Sequence, residues 1–178
     1  MPSVIDIRRM KSPDLTTLHT ICCEAYSQNI YHHWEEGGLE NYINKVFGIE
    51  LLKNELADEK IQYHVAFVNN EPVAFMKLNL FSNLPGLDIN KGLELDKIYI
   101  LPKFKGMNIG KKLLGLAFGI AKNFKRQTLW LAVIDTNIEA ISFYEKSGFK
   151  FHSKTFLEYP KFKEELKGMR RMYIGVNT

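Results

Sequence analysis

Residues 93–111 read Leu93-Glu94-Leu95-Asp96-Lys97-Ile98-Tyr99-Ile100-Leu101-Pro102-Lys103-Phe104-Lys105-Gly106-Met107-Asn108-Ile109-Gly110-Lys111. The pattern changes period inside this stretch, and that change decides the fold. Residues 93–101 predict a strand, rich in aliphatic residues with one aromatic. Pro102 to Asn108 is a basic loop containing a glycine. From Ile109 onward Leu113, Leu116, Ala117, Ile120 and Phe124 follow on one face, which predicts a helix over 109–124.

Working outward, residues 127–134 are apolar on both faces and predict a central, covered strand. A helix over 138–147 stops at Gly148, placed as the glycine just past a helix end. Two strands follow at 149–157 and 169–176, with the charged loop Glu158–Lys167 between them. On the other side, 61–68 and 73–80 are the arms of a hairpin turning at Asn69-Asn70-Glu71-Pro72. Ser82–Asn90 reads as a loop. Residues 3–9 predict the first strand, and Ser12-Pro13 the start of a helix over 13–26, with Ser12 as N-cap. Gln28–Glu36 reads as a loop and 39–58 as one or two helices. The whole is one α/β domain over residues 1–178. Its mixed, mostly antiparallel central sheet of about seven strands has helices on both faces.

Composition excludes several classes. Hydrophobic residues make up 46% and charged residues 25% of the 178, which argues against disorder. No apolar run reaches the ~18 residues of a membrane-spanning helix. Met1 to Met10 carries Asp6, Arg8 and Arg9 among its apolar residues, unlike a signal peptide. The net charge of +4 is a mild excess, and it argues against a nucleic-acid partner. Cys22 and Cys23 are neighbours and read as two reduced core thiols, which points to the cytoplasm. No Cys/His spacing resembles a zinc site, so no metal is expected.

The junction Lys105-Gly106-Met107-Asn108-Ile109-Gly110-Lys111 has two readings. A helix start leaves backbone N–H groups without partners and carries partial positive charge, so small residues flanked by lysines can cradle a phosphate or pyrophosphate. The glycines can equally serve a tight strand-to-helix turn. A Walker A loop and a dinucleotide fingerprint are both absent. The second informative segment runs from Asn137 through Ile138, Glu139, Ala140, Ile141, Ser142, Phe143 and Tyr144 to Gly148-Phe149. Asn137 can cap the helix. Tyr144, two turns on, lies on roughly the same face. By itself it reads either as a site phenol or as a packed aromatic with a satisfied hydroxyl. The two segments together place an anion site and an amide–phenol pair at the carboxyl ends of adjacent strands, where open α/β sheets bind ligands.

The element order and both segments resemble the GNAT superfamily of acyl-CoA N-acyltransferases. Its cradle, Arg/Gln-x-x-Gly-x-Gly/Ala, corresponds here to Lys105-Gly106-Met107-Asn108-Ile109-Gly110. Lys105 replaces Arg/Gln and Asn108 the first glycine, a change Asn accommodates because it tolerates left-handed backbone. Asn137-x-x-Ala140-x-x-Phe143-Tyr144-x-x-x-Gly148-Phe149 matches the second motif fully. Residues 93–100 and Trp130-Leu131-Ala132-Val133 are also similar to PaiA-type acetyltransferases, which act on spermidine and spermine.

The resemblance implies acetyl-CoA as cosubstrate. Its pantetheine would lie on the backbone of Ile98, Tyr99 and Ile100, and its pyrophosphate on the amides of Lys105 to Lys111. Asn137 would hold the pantetheine arm, and Tyr144 would protonate the departing thiolate. Glu94 is the implied base for the acceptor amine, with Asp96 the alternative. The loop Tyr26–Glu40 offers Tyr26, Tyr31, Trp34, Glu35, Glu36 and Glu40 either to a polyamine-like acceptor or as surface charges round an aromatic plug. Three classes follow: transfer to a small amine, transfer to a protein N-terminus or lysine, and non-catalytic acyl-CoA binding. The chain is expected to be a monomer or homodimer.

Overall fold

The computed structural model describes residues 4–87 and 91–177. Ser3 of the expected first strand, the end of the expected loop at 88–90, and Met1 lie outside the described residues. In chain order the elements are β1 (Ile5–Arg9), α1 (Leu15–Ile30), α2 (Gly38–Val46), α3 (Ile49–Ala57), β2 (Ile61–Val68), β3 (Glu71–Asn79), β4 (Gly92–Ile100), α4 (Ile109–Asn123), β5 (Thr128–Ile134), α5 (Ile138–Lys146), β6 (Lys150–Phe156) and β7 (Gly168–Gly175). The strands form one seven-stranded sheet in the order β1-β2-β3-β4-β5-β7-β6. Only β4 and β5 run parallel; the other pairs are antiparallel. This is the expected mixed, mostly antiparallel α/β sheet.

Three local expectations are corrected. Ser12 does not cap α1. Residues Ser12–Asp14 form a 3₁₀ turn, and the Asp14 carboxylate accepts from the Lys11 backbone N–H at 2.9 Å. The helix then runs to Ile30, four residues past the expected end, and continues as a 3₁₀ turn at Tyr31–His33. Gln28 and Asn29 therefore lie on a helix instead of opening a loop. The hairpin turn is shorter than expected. Asn69 and Asn70 alone make it, with φ of 49° and 67°. Two left-handed residues form the turn that matches strand twist, so β3 begins at Glu71. Pro72, which cannot donate to the ladder, sits where the register shifts opposite Phe67.

Tyr99 and Ile100 are consecutive in β4 and so point to opposite faces. Tyr99 meets Tyr26 of α1 edge-on at 5.1 Å. Ile100 faces α4, where a Cβ built on Gly110 would lie 3.5 Å from its Cδ1. Helices thus cover both faces. The core between them includes Leu18, Ile21, Phe47, Phe75, Leu93, Leu113 and Leu129. Cys22 is buried in it, while Cys23 is half-buried; both are free thiols.

One feature of the sheet creates the site. β4 and β5 pair only from Gly92↔Thr128 to Glu94↔Trp130. Beyond Glu94 the two strands part, and their facing edges have no strand partner. A bulge on β4 adds to this. Leu95 opposes Leu78 and Lys97 opposes Lys77, so Asp96 is the inserted residue.

Candidate active site

The gap between β4 and β5 opens into two clefts that share a wall. The first, about 510 Å³, is lined by Ile98, Tyr99, Ile100, Lys105, Gly106, Asn108, Ile109, Gly110, Lys111, Asn137, Ala140, Phe143 and Tyr144. These are the expected cosubstrate residues, with one exception. Met107 does not line the cleft; its side chain packs against the core. The other wall comes from Asn29, Ile30 and His33, at and just beyond the end of α1, and from Thr136 and Glu139. The second cleft, about 310 Å³, contains Tyr26, Tyr42, Glu94, Asp96, Lys97, Tyr159 and Phe162. Ile30, Ile98, Tyr99, Asn137, Ala140 and Tyr144 line both.

The junction before α4 takes the shape its residues allow. Gly106 has φ +82° and Asn108, the N-cap, φ +61°. Both are left-handed, the conformation that glycine and asparagine adopt most readily. Among the described residues, no backbone or side-chain acceptor bonds the N–H groups of residues 106–111. Six consecutive donors are thus left for a ligand or water, at a helix start flanked by Lys105 and Lys111. The steric reading of Gly110 fails. A Cβ there would make only ordinary contacts, 3.5 Å to Ile100 and 3.7 Å to Phe143. A Cβ on Gly106 would meet nothing within 4 Å, so that glycine answers to its φ alone.

Along β4, the Leu101 N–H bonds back to Val73 of the β3 side at 2.9 Å. Backbone groups alternate edges along a strand. Tyr99 therefore turns its backbone toward β3, and Ile98 and Ile100 turn theirs into the gap. Only two of the three expected backbone positions face the gap, and Tyr99 lines the cleft without its backbone edge. The Ile100 carbonyl also accepts from Asn29 Nδ2 at 2.8 Å.

Asn137 caps α5 as expected, its Oδ1 accepting from the Ala140 N–H at 3.1 Å. Its Nδ2 is left to donate. Tyr144 is 6% exposed, held by Phe143 at 5.3 Å and Phe149 at 5.6 Å between ring centroids. Gly148 ends the helix at φ +95° and lets the Phe149 N–H reach the Tyr144 carbonyl at 3.0 Å. The Tyr144 hydroxyl makes no hydrogen bond to the described residues, so the reading in which a protein group satisfies it fails. Burial pushes its pKa above the ordinary phenol value, and it stays protonated.

Glu94 and Asp96 both line the second cleft but differ in their partners. Glu94 Oε2 accepts from Asn79 Nδ2 and from Ser82 Oγ, each at 2.9 Å. Among the described residues it pairs with no cation. Asp96 lies 3.2 Å from Lys97 Nζ and 3.4 Å from Lys77 Nζ. Burial alone would raise its pKa, but the two ammonium groups outweigh it and hold the carboxyl below the usual range. A carboxylate so neutralised is a weak base.

The acceptor side differs from the expectation for Tyr26–Glu40. Trp34 is 7% exposed and plugs the core against Tyr42, Tyr159 and Phe162. Tyr31, Glu35, Glu36 and Glu40 are exposed and line neither cleft. Tyr26 alone of that group lines the second cleft, stacked on Tyr42 at 4.6 Å. Sequence reasoning missed Asn29, Tyr42, Tyr159 and Phe162. A signal existed for Asn29: it continues the buried 22, 25, 26 helical stripe with a polar residue. Nothing local marks the other three, which arrive from distant segments.

The family model for the acetyltransferase (GNAT) family matches residues 17–149. A spermidine N(1)-acetyltransferase of Thermoplasma acidophilum is 28% identical over 150 residues, covering 82% of this chain and 88% of that protein. A spermine/spermidine N(1)-acetyltransferase of Bacillus subtilis is 28% identical over 116 residues, covering 62% and 76%. The crystal structure of a PaiA N-acetyltransferase from Thermoplasma acidophilum in complex with coenzyme A shares the fold. Its TM-score is 0.75 at 24% identity, over 94% of this chain and 98% of that one. A parted β4–β5 pair, an open amide row before α4 and a family match across all these elements agree: the chain belongs to the acetyltransferase (GNAT) family.

Proposed function

We propose that this acetyltransferase, acting as one domain over residues 1–178, moves an acetyl group from acetyl-CoA to a small primary amine of the polyamine class. The observation that carries the reading is the Tyr144 hydroxyl. It has no hydrogen-bond partner among the described residues and belongs to both clefts, where the two substrates would meet.

Acetyl-CoA supplies an activated thioester. The amides of residues 106–111, with Lys105 and Lys111, hold its pyrophosphate. The edge groups of Ile98 and Ile100 and the free amide nitrogen of Asn137 hold the pantetheine arm. Glu94 takes the proton of the acceptor ammonium, directly or through water, because an amine of pKa about 10 is almost fully protonated at neutral pH. Tyr144 donates a hydrogen bond to the sulfur as negative charge develops on it. Its raised pKa makes full proton transfer to a less basic thiolate unfavourable, so the hydrogen bond itself supplies the stabilisation.

The polyamine class rests on the relatives' acceptors and on the tyrosine-rich second cleft. The lining of that cleft by Tyr26, Tyr42, Tyr99 and Tyr159 suits an aliphatic amine better than a peptide backbone. The test is a panel of small amines and peptide substrates with acetyl-CoA, following thiol release. Release with small amines, lost in Tyr144→Phe, supports the reading. Release only with peptides transfers it to a protein acceptor. Cosubstrate binding without release on any amine leaves an acyl-CoA-binding domain.

A further inference from the structure

Leu157 and Tyr159 belong to two cavities at once. On one side they wall the acceptor cleft. On the other they wall a hollow of about 460 Å³, formed by the charged loop between β6 and β7. The Leu157 N–H closes the base of that loop on the Lys167 carbonyl at 2.8 Å. Phe156 also lines the hollow and is 69% exposed, a large ring that the core does not cover.

Three charged residues line the hollow: Glu158, Glu164 and Lys167. Glu164 and Lys167 pair with each other. Glu158 is then the one carboxylate left over, and among the described residues it pairs with no cation. The loop's other lysines do not line the hollow, and Lys161 Nζ donates to the Glu36 carbonyl at 3.1 Å. The acceptor cleft has no equivalent to offer. Its Glu94 is assigned to the reacting nitrogen, and its Asp96 is neutralised by Lys77 and Lys97. A second ammonium on the acceptor finds its next carboxylate past Tyr159.

We propose that this hollow is an acceptor subsite for the distal ammonium of a polyamine. The Tyr159 ring bridges to it from the cleft, and Glu158 supplies the charge. This rests on the amine-acetyltransferase reading above and deepens it, by assigning the far end of the acceptor. Aromatic faces attract ammonium groups, and the methylenes between the nitrogens cover Phe156 and Leu157. Glu158 is exposed, so its pairing is modest and salt weakens it. The subsite therefore gives a moderate, ionic-strength-dependent preference for acceptors long enough to reach it. A Tyr159 that only packs, edge-on to Tyr42 at 4.8 Å, would affect all amines alike. A subsite changes the ratio between polyamine and monoamine.

The experiment measures kcat/KM by thiol release for 1-aminobutane, spermidine and spermine, at low and at high salt. The wild-type chain at low salt should favour the polyamines over 1-aminobutane by about tenfold, chiefly through KM, the product of one exposed cation–π contact and one surface ion pair. Glu158→Gln and Tyr159→Leu should each cut that ratio by about threefold, and salt should cut it in the wild type but little in Glu158→Gln. A ratio that Glu158→Gln leaves alone, or 1-aminobutane used as well as spermidine by the wild type, overturns the subsite and leaves the acetyltransferase reading intact. Equal losses on all three amines in Tyr159→Leu make that residue a packing one and overturn its part. Should Tyr159→Leu fail to fold, Glu158→Gln, at an exposed position, still decides. No thiol release with any amine overturns both readings.

Discussion

The Asn29 carboxamide nitrogen donates to the carbonyl oxygen of Ile100 at 2.8 Å, and to the Ala25 carbonyl at 2.8 Å one turn back in α1. The side chain therefore ties a helix end to the open edge of β4. Asn29→Leu keeps most of the volume and removes the donor. A lost hydrogen bond of about 1 kcal/mol corresponds to roughly a fivefold rise in KM for acetyl-CoA. The kcat should change little. A lower melting temperature with KM unchanged would make Asn29 a packing residue only.

The amide row before α4 makes a second prediction. Acetyl-CoA should raise the melting temperature, because a ligand that binds only the folded state stabilises it. Gly110→Ala should keep the shift, since its Cβ has room. Gly110→Glu puts a negative charge beside the free N–H groups and should abolish it. An undiminished shift in Gly110→Glu would move the pyrophosphate elsewhere.

Tyr144→Phe keeps the ring against Phe143 and Phe149 and removes only the unpartnered hydroxyl. The kcat should fall about 10²- to 10³-fold, as when one donor to a developing anion is lost. KM for acetyl-CoA should hold, because the contact is made chiefly in the transition state. The melting temperature should hold too, because no protein hydrogen bond is broken. Full turnover in this variant would remove Tyr144 from the chemistry.

Glu94→Gln should depress turnover most at low pH, where neutral amine is scarcest, and leave the acetyl-CoA shift unchanged. Asp96→Asn should behave differently. It uncouples a half-buried carboxylate from Lys77 and Lys97, and breaking such a buried pair costs about 3–5 kcal/mol. The prediction is loss of stability first and of turnover through it. If Asp96→Asn folds normally and loses more turnover than Glu94→Gln, the base lies two residues on.

His64 on β2 is 5% exposed and bonds Gln62 Oε1 at 3.1 Å. Burial, with the nearby Arg9 charge, pushes its pKa down to about 4 from 6.5. The unfolded chain binds this proton first as pH falls, so the stability His64 contributes is complete above about pH 6.5 and is lost toward pH 4. The loss amounts to about 3 kcal/mol across that window. Denaturant unfolding at a series of pH values should show the slope in the wild type, and His64→Gln should flatten it.

The readable parts of the chain were those where one period governs. The α4 pattern at 109, 113, 116, 117, 120 and 124 falls within one residue of the helix, and β2 matches its expected bounds. The end of α1 was not readable in this way. Gln28 and Asn29 look like loop residues because they are polar, yet Asn29 lies on the helix and spends its amide on the Ile100 carbonyl across the cleft. The expected cosubstrate residues lie in two continuous segments, so spacing could bring them to one cleft. The acceptor wall joins α1, α2, β4 and the segment before β7, and its Tyr42, Tyr159 and Phe162 carry no local signature. The bulge at Asp96 is likewise set by the partner strand and does not show in the alternation of β4.

The two clefts meet at Tyr144 but draw on different walls, one on the start of α4 and the other on Tyr42 and Tyr159, whose rings touch edge-on at 4.8 Å. An antiparallel bridge of Trp34 to Phe162, with the Glu35 N–H on Lys161 at 2.9 Å and the Lys163 N–H on His33 at 3.0 Å, ties the end of α1 to the segment before β7. Neither substrate has to leave before the other arrives. Neither cysteine lines a cleft, and burial raises the pKa of both thiols, so no activated sulfur stands ready to carry the acyl group between visits. On the proposed reading acceptor and donor would be held side by side, the nitrogen would displace the sulfur in one encounter, and initial-velocity lines at varied amine concentration should converge instead of running parallel.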